Sequence, residues 1–178
     1  MDGGGSVWVA RTIATRRLLL RPLLPAHAEE MAEVLAGPSL YAFTGGSPPS
    51  VTSLRARYQR LADGCPSPGV HWCNWVLEDR SQHRLLGTVQ ATVARTPGGW
   101  GAEVAWIVGE AWQSRGYATE AARGLLEWLA SPPREVSEVS AHVHPAHGAS
   151  AGVAAALGMR RTGELVGDEV EWRVELRG

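Results

Sequence analysis

The segment from Gln113 to Thr119 combines residue types and a position that suit binding of an anion. It reads Gln-Ser-Arg-Gly-Tyr-Ala-Thr and lies between a strand-like run that ends at Val108 and a helical run that begins near Ala118. The first N–H groups of a helix lack partners within the helix, and the helix dipole places a partial positive charge there. A pyrophosphate could bind to these groups without a lysine, with Gly116 allowing close approach and Arg115 adding a charged contact.

Two other motifs suggest different chemistry. Gly148 to Gly152 matches the G-x-S-x-G nucleophile elbow of serine hydrolases, centred on Ser150. The α/β-hydrolase order requires a histidine after the serine, and all six histidines precede Ser150. The pattern H-x-H-x-x-H, formed by His142, His144 and His147, resembles the zinc signature of metallo-β-lactamases and leaves a metal-dependent hydrolase as an alternative.

Composition excludes several classes of protein. All 17 basic residues are arginine, so the chain has no lysine for a Walker-type phosphate site or a pyridoxal Schiff base. A net charge of -1 indicates no general attraction to nucleic acid or to a membrane. We expect Cys65 and Cys73 to be reduced thiols, and we expect a cytoplasmic location because no signal peptide or membrane span is recognisable.

The remaining pattern predicts one mixed α/β domain over residues 7–178, after a flexible lead of residues 1–6. Strands are predicted at Thr15–Pro22, Trp72–Leu77, Arg84–Ala94, Trp100–Val108, Val136–His144 and 170–176. Helices are predicted at Pro25–Ala36, Val51–Ala62, from Ala118 to before Pro132, and Ala149–Leu157. The tryptophans at positions 72, 75, 100, 106, 112, 128 and 172 are expected in the core, although some near Trp72 could line a binding pocket.

Four segments together resemble the GCN5-related N-acetyltransferase (GNAT) superfamily, and within it the ribosomal-protein alanine acetyltransferase (RimJ/RimL-like) group. The segments are Thr15–Pro22, Arg84–Val89, Glu103–Val108 with Gln113–Ala121, and Pro145–Ser150 with Leu157–Met159. The resemblance implies the single GNAT-type α/β (α+β) domain, a central and mostly antiparallel mixed sheet flanked by helices. It also implies an enzyme that transfers acetyl from acetyl-CoA to an amine.

The resemblance assigns roles to individual residues. Direct attack of a neutral amine on the thioester is implied, with Glu103 as the candidate base and Ser150 at the position of the donor that protonates the leaving thiol. The expected cofactor-binding residues are Ile107, Val108, Gln113, Ser114, Arg115, Gly116, Tyr117, Ala118, Thr119 and His147. The last stands where the family usually has asparagine, which contacts the pantetheine arm. No metal is expected.

Other interpretations remain open from the sequence. The acceptor is expected to be a protein N-terminal α-amine, with an antibiotic, polyamine or other small amine as the alternative. Glu103 could instead pair with an arginine, and Ser150 could cap a helix. A non-catalytic acyl-CoA-binding module is a further alternative, and the edge of the final strand could pair with a second subunit.

Overall fold

The computed structural model describes residues 7–176 as one sheet with helices on both faces. The predicted flexible lead, residues 1–6, lies outside the described residues. No helix within residues 7–176 is both long and apolar enough to span a membrane. Cys65 and Cys73 are free thiols, as expected.

The sheet contains eight strands in the order β1-β2-β3-β4-β5-β6-β8-β7. The strands are β1 (Ile13–Ala14), β2 (Leu18–Pro22), β3 (Val70–Asp79), β4 (Arg84–Thr96), β5 (Gly99–Val108), β6 (Val136–Val143), β7 (Arg160–Val166) and β8 (Glu169–Glu175). All neighbouring pairs are antiparallel except β5 and β6, which are parallel. This confirms the predicted mixed, mostly antiparallel sheet.

The helices divide between the two faces of the sheet. They are α1 (Ala28–Val34), α2 (Val51–Asp63), α3 (Tyr117–Ala130) and α4 (Gly148–Ala156), with short 3-10 turns at Pro25–His27, Pro38–Tyr41 and Glu110–Trp112. The apolar side of α3 packs on one face of the strands, whereas α1 and α2 share a second cluster with Val76 and Ile107 on the other face. Trp75 is fully buried, and most of the other tryptophans pack against the larger cluster, as expected.

A gap opens between the two parallel strands near the middle of the sheet. β5 pairs with β4 along its whole length, from Gly99 to Val108. Its pairing with β6 begins at Trp100 and ends where Glu103 lies opposite Ser140. The strands continue past that point without a ladder, so part of the β5 backbone faces an opening instead of a neighbouring strand.

The sequence predictions differ from the structure at several places: β1 was not predicted, and the strand predicted from Thr15 begins at Leu18. The helix expected at Pro25–Ala36 is split, because a 3-10 turn precedes α1. β7 was not predicted, since all its residues are exposed and Gly163 interrupts its ladder, which removes the alternation that reveals a half-buried strand. The final strand, β8, lies between β6 and β7 and so is not at the edge of the sheet. The prediction that its edge could pair with a second subunit is therefore wrong.

Candidate active site

The turn before α3 presents a concave backbone. Ser114 has a φ of 59° and Gly116 a φ of 78°, both left-handed, separated by the ordinary conformation of Arg115. Such alternation turns successive N–H groups toward one point, and Gly116 is also the N-cap of α3. Within residues 7–176 no acceptor is found for the N–H groups of residues 115–119. Such an arrangement of N–H groups can bind an anion.

Arg17, the residue just before β2, holds this turn in place. Its Nη1 donates to the carbonyl of Arg115 at 2.9 Å, its Nε donates to Glu120 Oε2 at 2.6 Å, and its guanidinium lies 4.4 Å from the centre of the Tyr117 ring. Tyr117 in turn donates its hydroxyl to Asp79 at 3.1 Å. A single arginine thus contacts both Arg115, which precedes the N-cap Gly116, and Tyr117, the first residue of α3.

Glu120 is the charged partner that holds Arg17. Its carboxylate also accepts hydrogen bonds from the Thr15 hydroxyl and the Arg17 backbone N–H, each at 2.7 Å. Burial by itself would raise the pKa of Glu120, but these hydrogen bonds and the charge of Arg17 outweigh it, so the pKa is lowered. The carboxylate therefore stays ionised and keeps the turn anchored to β2.

The β5 edge that faces the gap is defined by the backbone alternation. Gly109 N–H donates to Leu86 O at 2.9 Å, which directs the backbone of alternate residues, including Ile107, toward β4. Trp106 and Val108 therefore face the gap, and the Val108 carbonyl accepts from Gln113 Nε2 at 3.0 Å. The Ile107 backbone faces β4, and the Ile107 side chain packs beside α1 and α2.

Glu103 lies where the gap begins, on the face of the sheet that carries α1 and α2. Its Oε1 is 3.3 Å from His142 Nδ1 on β6, and its side chain is 58% exposed while that of His142 is 16% exposed. His142 lies opposite Glu171 on β8. Glu103 has no arginine partner among the described residues, where its carboxylate contacts His142 instead. A carboxylate reachable from solvent and backed by imidazole can accept a proton.

Glu171, on the other side of His142, is held by its own hydrogen-bond partners. Both of its oxygens accept from Arg173 Nη2 at 2.9 Å, and Oε2 also accepts from the Thr162 hydroxyl at 2.9 Å. Burial raises its pKa, but these donors outweigh that effect and lower it. The imidazole of His142 therefore has a fixed anion on one side and the more exposed Glu103 on the other.

His147 and Ser150 lie at the start of α4. His147 is the N-cap, and its Nδ1 accepts from the Ser150 backbone N–H at 3.4 Å. This is the cap that asparagine would form, so the substitution preserves it. Burial, with the nearby His144, lowers the pKa of His147. Ser150 does not cap the helix, and its hydroxyl forms no hydrogen bond to any residue within 7–176.

A segment between α1 and α2, residues 37–50, bridges the far ends of β5 and β6. At one end Ser39 donates its backbone N–H to Glu110 at 2.8 Å, and its hydroxyl contacts the same carboxylate. At the other end the Phe43 ring stacks on His147, with 4.6 Å between ring centres, and lies 5.2 Å from His144. This bridging segment therefore links the residues that follow β5 and β6.

The G-x-S-x-G motif and the H-x-H-x-x-H motif do not adopt the geometry of a nucleophile elbow or of a metal site. Ser150 lies within a helix with ordinary backbone angles, not on the strained turn that an elbow nucleophile needs. His142 faces Glu103, while His144 Nδ1 accepts from the Ala146 N–H at 3.1 Å and His147 caps α4. Within residues 7–176 no three His, Cys, Asp or Glu side chains are grouped to hold a metal ion.

Sequence reasoning missed three residues of this region. Arg17 lies in a segment that carries the resemblance and Phe43 lies in none, but neither was given a role, because their partners are 98 and 104 positions away along the chain. His142 was considered only as a metal ligand. Its position on a strand that follows the helix after Glu103 was the available signal, because sequential parallel strands commonly lie side by side.

Comparisons with known proteins agree with this geometry. The family model described as "Acetyltransferase (GNAT) domain" matches residues 17–160, and no curated protein matches the chain. A GNAT-family acetyltransferase from Bacillus anthracis is 18% identical with a TM-score of 0.74, covering 92% of this chain and 98% of its own.

Two further solved structures have a similar fold. A ribosomal-protein-S5-alanine acetyltransferase from Vibrio fischeri is 17% identical with a TM-score of 0.75, covering 93% of this chain and 96% of its own. AAC(6')-Ib, solved with paromomycin and acetyl-CoA, is 19% identical with a TM-score of 0.71, covering 89% and 93%. These similarities establish the fold, and the family model over most of the chain establishes more: the protein belongs to the GNAT acetyltransferase family, the acetyl-CoA-dependent N-acetyltransferases.

Proposed function

We propose that this chain acetylates the N-terminal α-amine of a protein or peptide, with acetyl-CoA bound in the gap between β5 and β6. The observation that carries the proposal is the placement of two unlike sites beside one opening. An anion-binding turn at the start of α3 lies beyond one end of the gap-facing β5 edge, and Glu103 lies at the other end. The first suits the pyrophosphate of acetyl-CoA and the second suits an attacking amine.

The proposed contacts with acetyl-CoA follow from the free backbone groups. The N–H groups of residues 115–119 bind the pyrophosphate, with the Arg115 side chain adding charge and Gln113, Ser114 and Tyr117 shaping the turn. Further along, the N–H groups of Trp106 and Val108 lie on the open β5 edge and polarise the acetyl carbonyl. His147, as the cap of α4, contacts the pantetheine arm from the β6 side of the gap.

The acetyl transfer takes place in one displacement, without a covalent enzyme intermediate. The amine nitrogen attacks the acetyl carbon, the C–S bond breaks, and the acetyl group leaves CoA for the amine. The amine loses one proton to Glu103, directly or through water, and His142 stabilises the position of that carboxylate at 3.3 Å. The CoA thiolate receives a proton from Ser150, which regains one from solvent, and Glu103 releases its proton to solvent.

An α-amine fits this site better than a lysine side chain. Its reference pKa is about 7.7 to 8.0 against about 10.4 for lysine, so a partly exposed carboxylate is a sufficient base. The resemblance to the ribosomal-protein alanine acetyltransferase group supports the same acceptor. A small-molecule amine is the second candidate, because AAC(6')-Ib has the same fold. A cytoplasmic location remains a prediction.

The test is an acetylation assay that locates the new bond. Purified protein is incubated with acetyl-CoA and peptides that begin with alanine or serine, and mass spectrometry identifies the acetylated atom. We expect acetyl on the free α-amine and none on the same peptide blocked at its N-terminus. Acetylation of lysine side chains or small amines alone would contradict the α-amine assignment.

Calorimetry with acetyl-CoA separates binding from transfer. Saturable binding together with turnover supports the enzyme. Saturable binding with no turnover on any amine would favour the non-catalytic acyl-CoA-binding module instead.

A further inference from the structure

A groove beside α2 lies outside the cofactor site described above. It has a volume of about 440 Å³ and is bounded by the last turns of α2, the loop that follows, and the start of β3. Its walls include Arg57, Arg60 and Leu61 from α2 and Trp72 from β3. The groove therefore offers two guanidinium groups beside an aromatic ring.

The sheet register connects this groove to the proposed amine site. Trp72 pairs with Thr92 on β4, and Thr92 pairs with Glu103 on β5. Residues in such a row share one face of a sheet, here the face that carries α1 and α2. Adjacent strands are about 4.8 Å apart, which puts the backbones of Trp72 and Glu103 about 10 Å apart. An extended peptide covers that distance in about three residues.

The two arginines of the groove lack the ion pairs that neighbouring charges have. Arg55, also in α2, bonds Glu29 at 2.7 Å, whereas Arg57 and Arg60 form no ion pair with any residue in 7–176. The groove's one carboxylate, Asp63, accepts a hydrogen bond from Gln59 at 2.7 Å. The groove therefore keeps an excess of positive charge in a chain whose formal net charge is -1.

We propose that this groove binds an acidic side chain of the amine acceptor, two to four residues after the α-amine that is acetylated. This inference rests on the proposed function and adds the class of acceptor. Arg57 and Arg60 bind the carboxylate, and the Trp72 ring packs against the apolar part of the peptide. The same charges repel polyamines and other polycationic small molecules, so the groove selects acidic peptides over the small-molecule alternative.

The test compares binding of matched peptides, so that it does not depend on turnover. The probes are dye-labelled peptides that begin Ala-Glu-Glu-Glu, Ala-Gln-Gln-Gln or Ala-Lys-Lys-Lys, measured by fluorescence anisotropy with the full chain and CoA. Each exposed ion pair contributes modestly, so we expect the Glu peptide to bind about five-fold more tightly than the Gln peptide, less so at high salt. Equal binding of the Glu and Gln peptides would overturn the proposal.

Charge reversal locates the effect within the groove. The variant Arg57→Glu with Arg60→Glu should invert the order, so that the Lys peptide binds more tightly than the Glu peptide. Arg55→Glu is the matched control, because Arg55 lies on the same helix outside the groove. A preference that survives the double reversal, or that is lost equally in the control, would overturn the assignment to this groove.

Failure of the proposed function and failure of the groove proposal would give different results in these assays. Selective binding of the Glu peptide with no acetylation of any peptide supports the groove and removes the α-amine activity. Acetylation of all three peptides at equal rates and with equal binding supports the activity and removes the groove.

Discussion

The turn before α3 and the bridging segment of residues 37–50 border the same gap but are held in different ways. The turn is fixed by charged groups just before β2 and in α3, with Arg17 and Glu120 at 2.6 Å and further hydrogen bonds to Glu120. The bridging segment is held by Ser39 contacts to one exposed carboxylate, Glu110, and by the ring of Phe43. Charge-assisted contacts between regular elements restrain a backbone more than a surface ring stack does.

This difference matches the two substrates that we propose. Acetyl-CoA is the same molecule in every reaction cycle, so a prebuilt site loses little entropy when it binds. The acceptor is the variable partner, and residues 37–50 lie next to α2, which carries the arginines of the acidic-peptide groove. Variants on the two sides of the gap should therefore affect different kinetic constants.

The largest effect is expected from Gly116→Trp on the cofactor side. The left-handed φ of 78° disfavours any side chain, and a Cβ there would lie 3.4 Å from Arg17 Nη2. We expect acetyl-CoA affinity, measured by calorimetry, to fall by roughly 100-fold, which corresponds to about 2.7 kcal/mol. Gly167→Trp is the matched control, since Gly167 also has a positive φ but lies in the turn between β7 and β8. Equal affinity in the two variants would refute the proposed pyrophosphate site.

Glu103→Gln should leave acetyl-CoA affinity intact and lower kcat by roughly 100-fold. The ratio of wild-type to variant kcat should be largest below pH 7.7, where an α-amine is mostly protonated, and should shrink as pH rises above 8. His142→Gln should change kcat in the same direction, and the double variant should be no slower than Glu103→Gln. Glu175→Gln, at the exposed end of β8, is the control. A wild-type pH profile in Glu103→Gln would remove its role as base.

Glu120→Gln tests whether the charged anchor stabilises the fold as well as the turn. Loss of the ionic partner of Arg17 should lower the free energy of unfolding by about 1 to 3 kcal/mol at pH 7. Because the folded-state pKa of Glu120 is lowered, this contribution is fully present above the unfolded value of about 4.3 and is lost as pH falls through the folded pKa. Urea titrations at pH 7 and in acid measure it.

The matched control for that titration is Glu127→Gln, an exposed position on the same helix. The two variants should differ at pH 7 and converge in acid. A constant difference at all pH values would contradict the ionic role of Glu120.

The smallest effect is expected from Phe43→Ala in the bridging segment. An aromatic pair contributes about 0.5 to 1.5 kcal/mol, so we expect the KM of the acceptor to rise about three-fold. Acetyl-CoA affinity should change by less than about two-fold in this variant. Leu24→Ala removes a side chain of similar exposure elsewhere on the surface and serves as control. If acetyl-CoA affinity fell by a larger factor than acceptor KM rose, the bridging segment would belong to the cofactor side of the gap instead.

Much of the fold was predictable because its signals are local. The alternation of β4 and β5, the apolar side of α3 and the Gly158 stop after α4 each arise within a few residues, and the structure confirms all of them. β7 was missed because an exposed, interrupted edge strand has no such signal. The split before α1 was missed because Pro25 starts a 3-10 turn as readily as an α-helix.

The sequence by itself determined the class of protein. The turn from Gln113 to Thr119, with Gly116 at its helix start, depends on neighbouring residues along the chain, and local backbone preferences are encoded locally. The tertiary structure decided which side chains meet at the gap. Glu103 and His142 are brought together by the parallel pairing of β5 and β6, and Arg17 reaches Glu120 across 103 positions of sequence. Such contacts depend on strand order and register, which no local pattern specifies.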